Sequence, residues 1–83
     1  MSDQYLTSDL YVAAWLLLNG LVLEGVGGPN RRRLDFIFQD REDREELVKQ
    51  FVSSQAEGNV ADFVYHVRRA KNLLYAEKDR RCG

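Results

Sequence analysis

From Leu10 to Leu18 the chain carries no charge, and its apolar side chains fall on every side of a helical wheel. A helix on the surface of a monomer keeps a polar face, so this pattern predicts a helix that is central and buried. Both of its ends are marked. The hydroxyl of Thr7 or Ser8 suits the free N–H groups of a first turn, Asp9 adds negative charge there, and Asn19-Gly20 suits a left-handed C-terminal cap. The helix is expected from about Asp9 to Leu18.

After Gly20 the period of the pattern shortens to two. Leu21 to Val26 and Arg33 to Phe38 alternate as strands do, and Gly27-Gly28-Pro29-Asn30 between them is a dense turn signal, which predicts a hairpin. Pairing Val26 with Arg31 sets Glu24 opposite Arg33, Leu23 opposite Leu34 and Leu21 opposite Phe36. Leu21, Leu23, Leu34, Phe36 and Phe38 then share the face that packs on helices, while Val22, Glu24, Val26, Arg33, Asp35 and Ile37 form a mixed outer face. Asp40 is the expected N-cap of a second helix, from about Arg41 to Ser54, with Leu47, Val48, Phe51 and Val52 on one stripe. Asn59 and Asp62 resemble a capping box with Asp in place of Glu or Gln. They open a third helix whose core stripe is expected at Val60, Phe63, Val64, Val67 and Leu74 and which should run to roughly Glu77. Lys71 falls inside that stripe, and its aliphatic stem suits the edge of a core.

The order helix, hairpin, helix, helix predicts a small α+β domain, with a two-stranded antiparallel sheet covered on one face by helices. One domain is expected over residues 1–83, with an ordered core at about 7–77 and short flexible ends. So small a chain buries a limited share of its surface, and a two-stranded sheet is marginal alone. With Val22, Val26 and Ile37 on the outer face, a homodimer or a protein partner is expected to cover the sheet.

Thr7-Ser8-Asp9, Tyr11, Ala13-Ala14 and Gly20 resemble the N-terminal helix of a family of very short, uncharacterised bacterial and phage-associated domains. Leu23-x-Gly25-Val26, Phe36-x-Phe38 and Arg69-x-Lys71-Asn72-Leu73-Leu74-Tyr75 are similar to its later segments, so the resemblance spans most of residues 7–75. What it implies is an architecture; it brings no activity, cofactor or partner.

Composition narrows the function classes. The chain is 45% hydrophobic with one proline, the profile of a folded chain and not of a disordered one. No apolar run reaches the length of a membrane span and the first residues do not form a signal peptide, so a cytoplasmic location and no membrane partner are expected. Cys82 is the only cysteine, which excludes an internal disulfide and leaves it as an exposed bystander. The net charge of −1 hides an asymmetry: residues 40–50 hold five acids against three bases, and residues 64–83 six bases against two acids. The basic end can attract nucleic acid, an acidic partner or the acidic face of a second copy.

No cluster of acid, base and nucleophile can be assembled, so no enzyme activity, cofactor or metal site is expected. His66 is the only histidine, about 120° from the centre of the expected stripe; Asp62 is a partner one turn away, and a structural or neutral role is the ordinary reading. Gly25, Gly27 and Gly28 precede a strand, unlike a phosphate-binding loop, which opens a helix. Two candidate surfaces remain. Tyr65, Arg69, Asn72, Leu73 and Ala76 share the far side of the third helix, a mixture suited to a protein interface unless another helix covers it. Arg31, Arg32 and Arg33 at the hairpin, with Arg68, Arg69 and Lys71, suit phosphate contacts. A non-enzymatic interaction module, of the kind a prophage or mobile element encodes, is the first reading; a small nucleic-acid-binding regulator is the alternative.

Overall fold

A computed structural model describes residues 3–30 and 33–82 of the chain. Its elements run β1 (Gln4–Thr7), α1 (Leu10–Leu18), β2 (Leu23–Asn30), β3 (Arg33–Gln39), α2 (Arg44–Val52) and α3 (Val60–Cys82). The α+β class and the helix, hairpin, helix, helix order are as the pattern predicts. The sheet, however, has three antiparallel strands in the order β1-β3-β2, not two. Four residues with one alternation are too few to announce a strand; β1 exists because β3 offers it a free edge, pairing Tyr5 with Phe38 and Thr7 with Phe36.

α1 begins one residue later than expected, with Asp9 itself as the N-cap. Asp9 Oδ1 accepts from the N–H groups of Tyr11 at 2.9 Å and Val12 at 3.1 Å, and the Asp9 N–H donates to Thr7 Oγ1 at 3.1 Å. At the other end Gly20, at φ +87°, donates to the Leu17 carbonyl and Leu21 to that of Leu16, the paired bonds of a left-handed cap. Val12 to Leu17 are all buried. The Trp15 indole N–H donates to the Leu47 carbonyl at 2.8 Å, which fixes α2 against α1. Trp15, Phe51 and Phe63 form a ladder of rings 6.1 Å apart that joins all three helices.

The expected core face of the hairpin is correct, with Phe36 and Phe38 fully buried and Leu21, Leu23 and Leu34 in or near the core, but the expected register is not. Leu23 pairs with Phe38, Gly25 with Ile37, Val26 with Phe36 and Gly27 with Asp35. A bulge at Glu24–Gly25 sets two residues of β2 against one of β3, and this turns Val26 from the outer face to the core. Nor does Gly27-Gly28-Pro29-Asn30 form the turn: these residues continue β2 through a second irregularity, until Asn30 pairs with Arg33. Glu24 therefore does not face Arg33; its carboxylate accepts from Gln4 Nε2 at 2.6 Å. Arg31 and Arg32 lie outside the described residues, as do the side chains of Arg33 and Cys82.

α2 starts at Arg44, three residues later than expected, because Asp40 caps nothing in it. Asp40 instead accepts two hydrogen bonds from the Arg44 guanidinium, at 2.9 and 3.2 Å, and the same guanidinium lies 4.2 Å from the centre of the Tyr5 ring. Arg41 is held by both oxygens of Asp43 and donates to the Asn19 carbonyl at 3.0 Å, closing the end of α1. α2 ends at Val52, with Ser54 at φ +62° donating to the Phe51 carbonyl.

α3 is longer than expected by five residues and is rotated. Its N-cap is as predicted, with Asn59 Oδ1 accepting from the Asp62 N–H at 3.1 Å. Ala70 is fully buried where α3 meets α1, and Phe63 and Leu74 pack on the core beside it. A small side chain permits the close approach, and it turns the buried stripe by about 50° from the one centred on the valines. Val60 and Val64 are left exposed, at 76% and 42%, and Lys71 is exposed rather than at a core edge.

Two left-handed caps give opposite predictions. Gly20→Ala adds a Cβ at ordinary contact distance, 3.7 Å, from the Arg41 guanidinium, so its cost is conformational and should be about 1 kcal/mol. Ser54→Gly removes the same penalty and should stabilise by up to about 1 kcal/mol. Chemical denaturation of the two variants measures both signs.

The Arg44 hydrogen bonds hold the Asp40 carboxyl below the usual carboxylate range, and Arg41 does the same for Asp43. A carboxyl with a lowered folded pKa contributes stability above its unfolded value of about 3.9, and that contribution is lost as pH falls through the folded value. Asp40→Asn should be less stable than the parent near neutral pH, and the gap should close in acid. Denaturation midpoints at stepped pH values give the comparison.

Candidate interaction surface

The rotation of α3 decides which of its residues are free. Tyr65, Arg68, Arg69, Asn72 and Leu73 line one open groove, with Tyr65 63% and Leu73 37% exposed. Arg69 and Leu73 also border a second groove, where α3 runs beside Leu23 to Val26 of β2, with Ala76, Glu77 and Arg80 along its far wall. The two grooves therefore form one continuous surface. Among the described residues no other element covers Tyr65 or Arg69, so the predicted far side of the helix is brought together as an open face.

Val60, Val64 and Tyr75 are exposed too, but on the other flank of α3 from Arg69 and Leu73, with Val60 at the mouth of the cleft beside Phe51 and Phe63; sequence reasoning missed all three as surface residues. The shared helical face of Val60, Phe63, Val64, Val67 and Leu74 points Val60 and Val64 at the core; the burial of Ala70 turns both outward. Arg68, Arg69 and Lys71 stand among the apolar groups of the two flanks. None of the three enters a hydrogen bond or ion pair among the described residues, so their charge is available. Lower on the helix, Arg80 is paired with Glu77, and the Lys78 ammonium lies 5.8 Å from the centre of the Tyr75 ring.

The sheet candidates are not brought together. Val22 is 54% exposed just before β2, Val26 faces the core, and Ile37 lies partly buried in a row with Leu6 and Gly25. Asp35, expected on an open outer face, is buried. Of the nucleic-acid candidates, Arg31 and Arg32 lie outside the described residues, and only the backbone of Arg33 is placed, opposite Asn30.

His66 is half-buried, its Nδ1 enclosed without a hydrogen-bond partner and its ring edge-on to Tyr65 at 5.2 Å. It forms no ion pair with Asp62 among the described residues, because the rotated stripe carries it inward, away from the expected surface position. No three His, Cys, Asp or Glu side chains among the described residues come together in a way that could hold a metal ion. The apolar cleft between the helices, of about 200 Å³, is lined by Trp15, Leu18, Phe51 and Phe63 with Asn59 at its rim, and its walls carry no acid, base or nucleophile. No helix among the described residues is long and apolar enough to cross a membrane.

A family model described as a domain of unknown function matches residues 2–76. No curated protein and no solved structure matches the chain. The matched span takes in β1, α1, the hairpin, α2 and α3 as far as Ala76, and the chain belongs to the DUF5659 family of domains of unknown function.

Proposed function

We propose that this chain is a non-enzymatic protein-interaction module that binds through the exposed face of α3. One observation carries this reading: α3 leaves Tyr65 and Leu73 exposed in one groove with Arg68, Arg69 and Asn72, and neither arginine has a partner among the described residues. Aromatic residues and arginine are enriched in protein interfaces, and fully buried anchors of these types carry most of their binding energy. Arg68 and Arg69 favour an acidic partner, whose carboxylates meet charge that no described side chain neutralises.

Nucleic acid is the competing ligand for such a face, and the two are separable. Affinity capture from a cell extract should retain a bound protein after nuclease treatment. A Tyr65→Ala, Leu73→Ala double variant should lose it by about tenfold or more, the scale of two interface anchors. Capture that disappears with nuclease, or that the double variant leaves unchanged, contradicts the proposal.

A further inference from the structure

We infer that the partner of the α3 face is the outer face of α2 in a second copy of this chain. The inference rests on the α3 surface proposed above and names its occupant. α2 buries Leu47 and packs Val48 and Phe51 on the core, so its opposite side points to solvent. That side carries Glu42, Glu45 and Glu46 just before and within its first turn, then Lys49, and Val52 at its end, 73% exposed. Asp40 and Asp43, the other acids of the segment, are already held by Arg44 and Arg41. The three glutamates make no hydrogen bond or ion pair at contact distance among the described residues.

Each face thus holds what the other lacks. Arg68 and Arg69 stand beside Tyr65 and Leu73 on α3, and the exposed carboxylates of Glu42, Glu45 and Glu46 stand on the side of α2 that ends in Val52. Within one molecule the faces do not meet: α2 reaches α3 through the Phe51 and Phe63 rings, on the inner sides of both helices. The sizes agree as well. Nine residues of α2 span about 13 Å, which fits within the about 18 Å of Tyr65 to Ala76 of α3. With a net charge of −1, little overall repulsion opposes association of two copies, and local attraction decides it.

Charge reversal in both directions tests the pairing on the full chain. The parent should be a dimer or larger by light scattering at about 100 µM, a concentration at which micromolar association is populated, and should dissociate as salt rises. Arg68→Glu with Arg69→Glu, and separately Glu45→Lys with Glu46→Lys, should each weaken association by about tenfold or more. Circular dichroism shows whether each remains folded. Mixing the two variants should restore association, because each reversed face then meets its complement. The chain carrying all four changes should also self-associate, which gives a second route to the answer if one double variant fails to fold. A parent that stays at 9.6 kDa, a dimer indifferent to both reversals, or mixed variants that stay apart overturns the inference. A monomeric parent that still captures another protein through Tyr65 and Leu73 overturns the second-copy assignment alone; a monomer that captures none overturns the proposed function with it.

Discussion

A nine-residue helix with no charge and no polar face has to be covered on nearly every side, and the fold depends on meeting that requirement for Val12 to Leu17 of α1, with Tyr11 alone left largely exposed. Each large side chain it buries contributes on the order of 1.5–3 kcal/mol relative to exposure, so leaving any side open is costly. The inner face of the sheet, α2 and α3 each take a part of the cover. Trp15 adds a directional demand, since a buried indole N–H needs an acceptor, and the Leu47 carbonyl at 2.8 Å supplies it. Ala13, Ala14 and Ala70 are fully buried, and small side chains there let α3 lie close to α1.

The polar groups at the junctions hold the cover in place. Arg41 joins the end of α1 to the turn before α2, and Arg44 joins that turn to β1 by stacking on Tyr5 while bonded to Asp40. The Asp40 N–H donates to the Asp3 carbonyl at 2.9 Å, so the first strand is tied to the same turn. Three elements distant in sequence meet at one pair of arginines. The acids left over from these pairings, Glu42 before α2 and Glu45 and Glu46 in its first turn, face solvent. Structural pairing at the turn and the free charge proposed for binding thus come from the same acidic segment.

Features written locally were legible in the sequence. The caps of α1 at Gly20 and of α3 at Asn59 depend on residues within five positions of each other, and the core parity of Leu34, Phe36 and Phe38 follows from alternation alone; at the start of α1 the expected cap, Thr7 or Ser8, is replaced by Asp9. Features set by contact between distant segments were not. The bulge at Glu24–Gly25 has no turn signature of its own, while the stronger signature at Gly27 to Asn30 drew the hairpin register to the wrong place. β1 depends on the free edge of β3, and the rotation of α3 on the size of Ala70 against α1. The candidate surface shared this division: Tyr65, Arg69, Asn72 and Leu73 were readable from the wheel, but the exposure of Val60, Val64 and Tyr75 on the other flank became visible only once the axis of α3 was set by packing.

Native-state hydrogen exchange, resolved by residue, tests the central place of α1 most directly. If the whole fold serves to cover this helix, the amides bonded within α1 and those of Phe36 and Phe38 should exchange only through global unfolding, with the same free energy as denaturation. The last turns of α3, beyond Leu74, should open far more readily. Exchange of the α1 amides through a local opening, at a free energy well below that of β3, would contradict the account.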